Sequence, residues 1–296
     1  MTLHPLVTRY APSPTGYLHL GHVAHIIYVW GLAEVLGAGV LLRIEDHDRL
    51  RCRREYEAAI YDDLEWLGFE PLNVVTPDFR QSNSAVAYND ALERIQRSHH
   101  VYRCVCSRKD LAAHSTKSSM GEFVYSGHCR EADHAANTFH GLRLEWGSGE
   151  ESFDDGLLGP QTQEPLKQCG DLLLKDRHNQ WTYQFAVTVD DIRQGVNLIV
   201  RGEDLLDSTG RQIRLARLLG RPEAARFFHH PLITDPEGVK LSKKQRSPAI
   251  RELRNSKISP ATVIGEAAKA VGLLSEARPL ERSEIAQLIA VRHGLV

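Results

Sequence analysis

The chain has 296 residues, 42% of them hydrophobic, which is enough apolar material for one large or two ordinary globular domains. Lysine and arginine number 36 against 38 acidic residues, and the formal charge of -2 excludes whole-molecule attraction for nucleic acid, so any RNA surface has to be local. Five cysteines, an odd number, argue against a disulfide framework.

No basic region with an apolar run precedes the first strand, so no secretory signal is expected and the chain reads as cytoplasmic. Val7 to Ala11 alternates and predicts a short strand. Pro12, Pro14 and Gly16 then interrupt pairing, and a helical pattern runs from Leu20 to Leu36, stopped by Gly37 and Gly39. A strand, a sharp loop and a helix start in this order present backbone N–H groups at the positive end of a helix, where a polyphosphate can be held. His19 and His22 flank that junction as further donors. The apolar stretch from Ile26 to Leu42 is not read as a membrane span, because it carries Glu34 and is broken by glycines.

Val40 to Ile44 is a continuous apolar run leading into Glu45-Asp46-His47-Asp48, and an open α/β sheet places ligand contacts at such strand exits. Helices are predicted over Glu55 to Leu67 and Ala85 to Arg97. The alternation implies an α/β fold with a doubly wound, Rossmann-like parallel sheet. From about His100 the apolar periodicity fades. Cys104, Cys106 and Cys129 offer three thiolates to a structural zinc, and general zinc chemistry nominates His128 or His114 as the fourth ligand. Reduced core cysteines are the plainer alternative.

Two strand-like runs, Gly141 to Trp146 and Asp171 to Lys175, are joined by a Gly- and Gln-rich loop, so an α+β insert is expected. Trp181 to Asp191 returns to the apolar habit of the first domain. Val196 to Val200 predicts a buried strand ending in Arg201-Gly202-Glu203-Asp204, and Ser208 is read as the cap of a helix reaching Leu219. Beyond a turn at Asp235-Pro236 comes the basic run Lys240-Leu241-Ser242-Lys243-Lys244. Ser259-Pro260 and Ser283 are read as the starts of two closing helices. The domain boundaries expected are 1–99 and 181–250 for the catalytic domain, 100–180 for the zinc-bearing insert and 251–296 for a short helical tail.

His19-Leu20-Gly21-His22 and Lys240-Leu241-Ser242-Lys243-Lys244 together resemble the paired signatures of class I aminoacyl-tRNA synthetases. The segments Arg9 to Gly16, Arg43 to Asp48, Tyr183 to Asp191 and Arg201 to Asp204 look like the glutamyl-tRNA synthetase core. The segment after Lys244 leaves no room for the helical anticodon-binding domain of those enzymes, lying at the floor of the roughly 50 to 200 residues of a domain. The spacing of Cys104, Cys106, Tyr125 and Cys129 is similar to the zinc site of glutamyl-queuosine tRNA(Asp) synthetases, the short paralogues. That resemblance replaces His128 by Tyr125 as fourth ligand.

The resemblance implies ATP-dependent activation of L-glutamate, with magnesium accompanying ATP, and transfer of the glutamyl group to the queuosine of tRNA(Asp). It implies glutamate contacts from Arg9, Ala11, Ser13, Glu45, Tyr183 and Arg201, and ATP contacts from His19, Gly21, His22, Lys240 and Lys243, of which His19, His22 and Lys243 are catalytic. His99, His100, Arg103, Arg108 and Lys109 are candidate phosphate contacts near the insert. A monomer without membrane attachment is expected. A conventional glutamyl-tRNA synthetase, an inactive RNA-binding paralogue and a small-molecule nucleotidyltransferase are the rival readings.

Overall fold

The computed structural model describes residues 5–48, 50–118, 121–221, 223–233 and 248–295. Strand β1 (Val7–Tyr10), helix α1 (Leu20–Leu36) and strand β2 (Gly39–Leu42) form a unit in which β1 and β2 pair in parallel, Val7 opposite Gly39 and Tyr10 opposite Leu42. Helices α2 (Arg54–Leu67) and α3 (Ala85–Gln96) follow. Helix α1 carries few polar residues, His22, His25 and Glu34, and the apolar stretch between His25 and Glu34 has to be buried on all sides. Residues from Val23 to Ala33 along it are indeed almost all in the core.

The middle of the chain contains β3 (Val101–Cys104), α4 (Arg108–His114), β4 (Thr116–Lys117), β5 (Phe123–Val124), β6 (Gly141–Leu144), β7 (Glu151–Asp155), β8 (Gly159–Gln163), α5 (Pro165–Cys169) and β9 (Leu172–Lys175). β3, β6 and β9 make a three-stranded antiparallel sheet, and β4 pairs with β5. The stretch read as a Gly- and Gln-rich loop is a β7–β8 hairpin, and β7 pairs in parallel at Asp155 with a strand of the catalytic sheet, Phe227. Residues 151–163 therefore extend the catalytic sheet although they lie between the expected bounds of the insert.

The second half adds α6 (Tyr183–Arg193), β10 (Leu198–Gly202), α7 (Thr209–Leu218) and β11 (Arg226–His230), then α8 (Ile250–Asn255), α9 (Pro260–Ala270) and α10 (Ile285–His293). β10 and β11 pair in parallel. β10 runs beside β1, fastened by Asn197 N–H to the Val7 carbonyl at 3.0 Å and by Val7 N–H to the Asn197 side chain at 2.8 Å. Leu198 and Val200 join the core under α1, whereas Ile199 and Phe227 pack with Ile213 of α7. Strands covered on both faces read as continuous apolar runs, which is why β10 was legible in the sequence, whereas β11, with two apolar residues between Arg226 and His229, was not anticipated.

Two caps differ from expectation. Ser208 does not cap α7: its hydroxyl accepts from the Gln184 amide at 2.8 Å, a tertiary partner that outcompetes the local one. Ser283 lies inside a 3-10 turn, and α10 begins after Glu284. Ser259 does cap α9, accepting from Thr262 N–H at 3.2 Å. Among the described residues no helix is long and apolar enough to cross a membrane.

Candidate active site

A cavity of about 620 Å³ opens where the carboxyl ends of β1, β10 and β11 meet the first turn of α1. Its wall includes Ala11, Ser13, His19, Gly21, His22, Glu45, Tyr183 and Arg201, and thus brings together most of the residues singled out from sequence. Lys240 and Lys243 lie outside the described residues. Flanking that run on the described chain, Ile233 lines the cavity and Ala249 bridges to His19.

The start of α1 is closed by two imidazoles. His19 Nδ1 accepts from Gly21 N–H and His22 Nδ1 accepts from His19 N–H, both at 3.1 Å. A ring nitrogen that accepts carries no proton, so in the neutral form each ring holds its proton on Nε2. The same residues thereby cap the helix and turn two N–H donors away from it. A Cβ on Gly21 would stand 3.0 Å from the His19 ring, so only glycine lets that ring fold back without displacement.

The polar floor is a chain of buried ions. Arg43, with no exposed surface, donates to Asp191 at 2.7 Å and to Glu45 at 3.1 Å. Arg9 donates through Nε to Asp191 at 3.0 Å and through Nη1 to the Val200 carbonyl at 3.3 Å. Burial, set against the pull of Arg43 and Arg9, raises the Glu45 carboxyl above its ordinary range. Burial would raise Asp191 too, but its two arginines hold it low. Ser13 turns its hydroxyl to the Glu45 carbonyl at 2.9 Å, tying the proline loop to the exit of β2.

Arg201 is different. It is buried, and it donates to three neutral acceptors: His229 Nε2 at 2.9 Å, Gln212 Oε1 at 2.6 Å and Thr209 Oγ1 at 2.8 Å. Burial lowers its pKa to about 10, with Tyr183 opposing. A buried guanidinium at a cavity wall without a paired carboxylate is a receptor for an anion.

Several wall residues were not anticipated. His25 and His230 face each other at 2.9 Å, and His230 Nδ1 bonds the Pro231 carbonyl at 2.9 Å. A carbonyl only accepts, so His230 carries its proton on Nδ1 and His25 donates to it. Burial, then His230, holds the His25 pKa well below the usual histidine range. The strand-exit logic applied to Glu45 and Arg201 would have found His229 and His230 at the end of β11. Nothing in the sequence marked His25, which sits on an apolar helix.

In the middle region Cys104, Cys106 and Cys129 place their sulfurs within 4.8 Å of one another, with Cys106 and Cys129 at 3.5 Å. The Tyr125 hydroxyl stands 3.5 Å from Cys104 Sγ and accepts from Cys129 N–H at 2.8 Å. Tetrahedral zinc with bonds of about 2.3 Å sets its sulfurs about 3.8 Å apart, so the donor set fits that ion. His128 stacks on His114 at 4.8 Å, and neither belongs to the thiol cluster. Burial and the neighbouring thiols push Cys106 up to about 12. Arg143 donates to Cys104 Sγ at 3.4 Å.

The chain matches the family model of class I tRNA synthetases (E and Q), catalytic domain, over residues 5–270. It is 36% identical over 278 residues to a Glutamyl-Q tRNA(Asp) synthetase of Rhodobacter capsulatus, covering 87% of this chain and 98% of that one. The corresponding protein of Nitratidesulfovibrio vulgaris is 37% identical, with 92% and 88% covered. Among solved structures, a glutamate tRNA ligase from Elizabethkingia meningosepticum in complex with its amino acid superposes with a TM-score of 0.79 at 24% identity. That likeness, a likeness of fold, covers 96% of this chain but only 64% of the ligase.

Proposed function

Because the chain belongs to the class I tRNA synthetases of the glutamate and glutamine group, we propose that it activates L-glutamate with ATP and transfers the glutamyl group to the queuosine of tRNA(Asp). The observation that carries this reading is the composition of one cavity wall. Nε2 donors of His19 and His22 stand at one side, and the unpaired charge of Arg201 stands with Glu45 and Tyr183 at the other.

In the first half-reaction an α-carboxylate oxygen of glutamate attacks the α-phosphorus of ATP, and the bond to the pyrophosphate oxygen breaks, giving glutamyl-adenylate and pyrophosphate. Positioning and charge stabilisation do most of this work. His19 and His22 donate to phosphate oxygens at the helix start, beside the Gly21 backbone. By their match to the family signature, Lys240 contacts ATP and Lys243 neutralises charge on the departing pyrophosphate, with magnesium accompanying ATP. Glu45 accepts from the α-ammonium, and Arg9 and Arg201 hold the substrate carboxylate. Ala11 and Ser13 shape the floor, and Tyr183 closes the pocket.

In the second half-reaction a hydroxyl of the queuosine cyclopentenediol attacks the adenylate carbonyl and AMP leaves. The parallel pairs β1–β2 and β10–β11, covered on both faces, support reading the core as a doubly wound Rossmann-like sheet. Cys104, Cys106, Cys129 and Tyr125 are proposed to hold one zinc ion per chain. When bound, it supplies cross-linking of a poorly cored segment and no chemistry. The enzyme is read as a cytoplasmic monomer.

The test is glutamate charging, with ATP, of two tRNA(Asp) preparations that differ only in queuosine at the wobble position. Label on the modified tRNA alone is expected. Label at the 3′ end of tRNA(Glu) would overturn the reading in favour of conventional charging.

A further inference from the structure

Behind Arg201 lies a buried carboxylate that does not touch it. Asp155, at the end of β7, accepts from His229 Nδ1 at 2.6 Å, and neither side chain has any exposed surface. The other Asp155 oxygen is occupied by backbone donors, Leu157 and Leu158 N–H at 3.0 Å and His229 N–H at 3.2 Å. On the far side of the ring, His229 Nε2 lies 2.9 Å from Arg201 Nε. Guanidinium only donates, so His229 must accept there, which a neutral ring can do only with its proton on Nδ1. Asp155 is the group that keeps the proton on Nδ1.

We propose that Asp155 and His229 form a positioning relay, in which the carboxylate fixes the imidazole tautomer so that Arg201 is oriented as the receptor for the substrate's side-chain carboxylate. The inference rests on the glutamate reading given above and deepens it. Interposing a ring has a physical purpose. A carboxylate in direct contact would pair with Arg201, as Asp191 pairs with Arg9 and Arg43, and would compete with the anion. Through His229, Arg201 gains a fixed direction without a bonded counter-ion. Gln212 and Thr209, also neutral acceptors, hold the two terminal nitrogens in the same way.

The relay makes Asp155→Asn a specific test. Three backbone N–H groups claim one oxygen position, so the asparagine amide oxygen must stay there and its NH2 must face His229 Nδ1. The ring then moves its proton to Nε2 and opposes a donor to Arg201 Nε. Glutamate-dependent pyrophosphate exchange is measured on the full chain, with thermal melting as the folding check. The tautomer of His229 is read from its imidazole ¹⁵N shifts. The expected result for Asp155→Asn is a switched tautomer and a KM for glutamate raised about tenfold or more, with kcat and the KM for ATP within about threefold of the parent. His229→Gln, whose amide oxygen can still accept from Arg201, is expected to raise the glutamate KM less than Asp155→Asn does.

A switched tautomer with an unchanged glutamate KM would overturn the relay. So would equal losses for glutamate and ATP in both variants, which is what a merely structural role produces. Absence of glutamate-dependent exchange in the parent protein is a separate outcome, which overturns the proposed function and this inference with it.

Discussion

At the scale of single residues, the cavity is built from groups whose protonation is set by burial and by one or two neighbours. Glu45 illustrates the use of that arrangement. It receives one hydrogen bond from Arg43 and faces the cavity with the rest of its carboxylate. Glu45→Gln keeps the shape and removes the charge, so the KM for glutamate should rise roughly ten- to hundredfold while that for ATP stays level, since a hydrogen bond to a charged group contributes about 1.5 to 3 kcal/mol. Pyrophosphate exchange with either substrate varied reads both constants. Asp63 on α2 is the opposite case, a buried carboxylate with no bonded partner for either oxygen among the described residues. Burial raises its pKa to about 6 from the ordinary 3.8. The folded state then holds its proton more tightly than the unfolded chain, so the contribution is fully present below about pH 4 and is lost as pH rises through 6. Asp63→Asn should stabilise the protein at pH 8 by up to about 3 kcal/mol and leave it unchanged at pH 4, as denaturant melts at the two values will show.

At the scale of elements, the thiol cluster depends on a contact that no cysteine makes. Gly170 has φ 66 and ψ -149, a region only glycine occupies easily, and it bridges to Tyr125. A Cβ there would stand 1.9 Å from the Tyr125 carbonyl oxygen. Gly170→Ala should therefore push Tyr125 out of the cluster and destabilise the middle region by more than about 2 kcal/mol. Metal analysis of the purified variant should find well under one zinc per chain. A full complement with an unchanged melt would detach Tyr125 from metal binding.

At the scale of the whole molecule, the core is divided unequally. The large cluster under α1 and the second one around α3, α6 and α7 each bury many apolar side chains. The cluster around the thiols is small, with Tyr102, Cys104, Tyr125 and Cys129 at its centre. The proposed zinc would add stability there by cross-linking. Chelation should raise amide deuterium exchange across 104–129 and leave α1, β1 and β10 protected. Zinc uptake should release protons, because Cys106 holds its proton to about 12 without a cation. Unchanged exchange on chelation would count against a structural ion. The sequence by itself determined the elements whose signals are local. Continuous apolar runs marked β2 and β10, apolar residues at helical spacing with a glycine stop marked α1, and charges at strand exits marked Glu45 and Arg201. The tertiary structure alone decided the partners. Arg9 found its ion-pair partner in Asp191, far along the chain. Asp155 came to stand behind His229 only because a hairpin that looked like a loop added itself to the catalytic sheet. Periodicity records which side of an element is buried, whereas hydrogen bonds between residues distant in sequence are settled only when the elements pack.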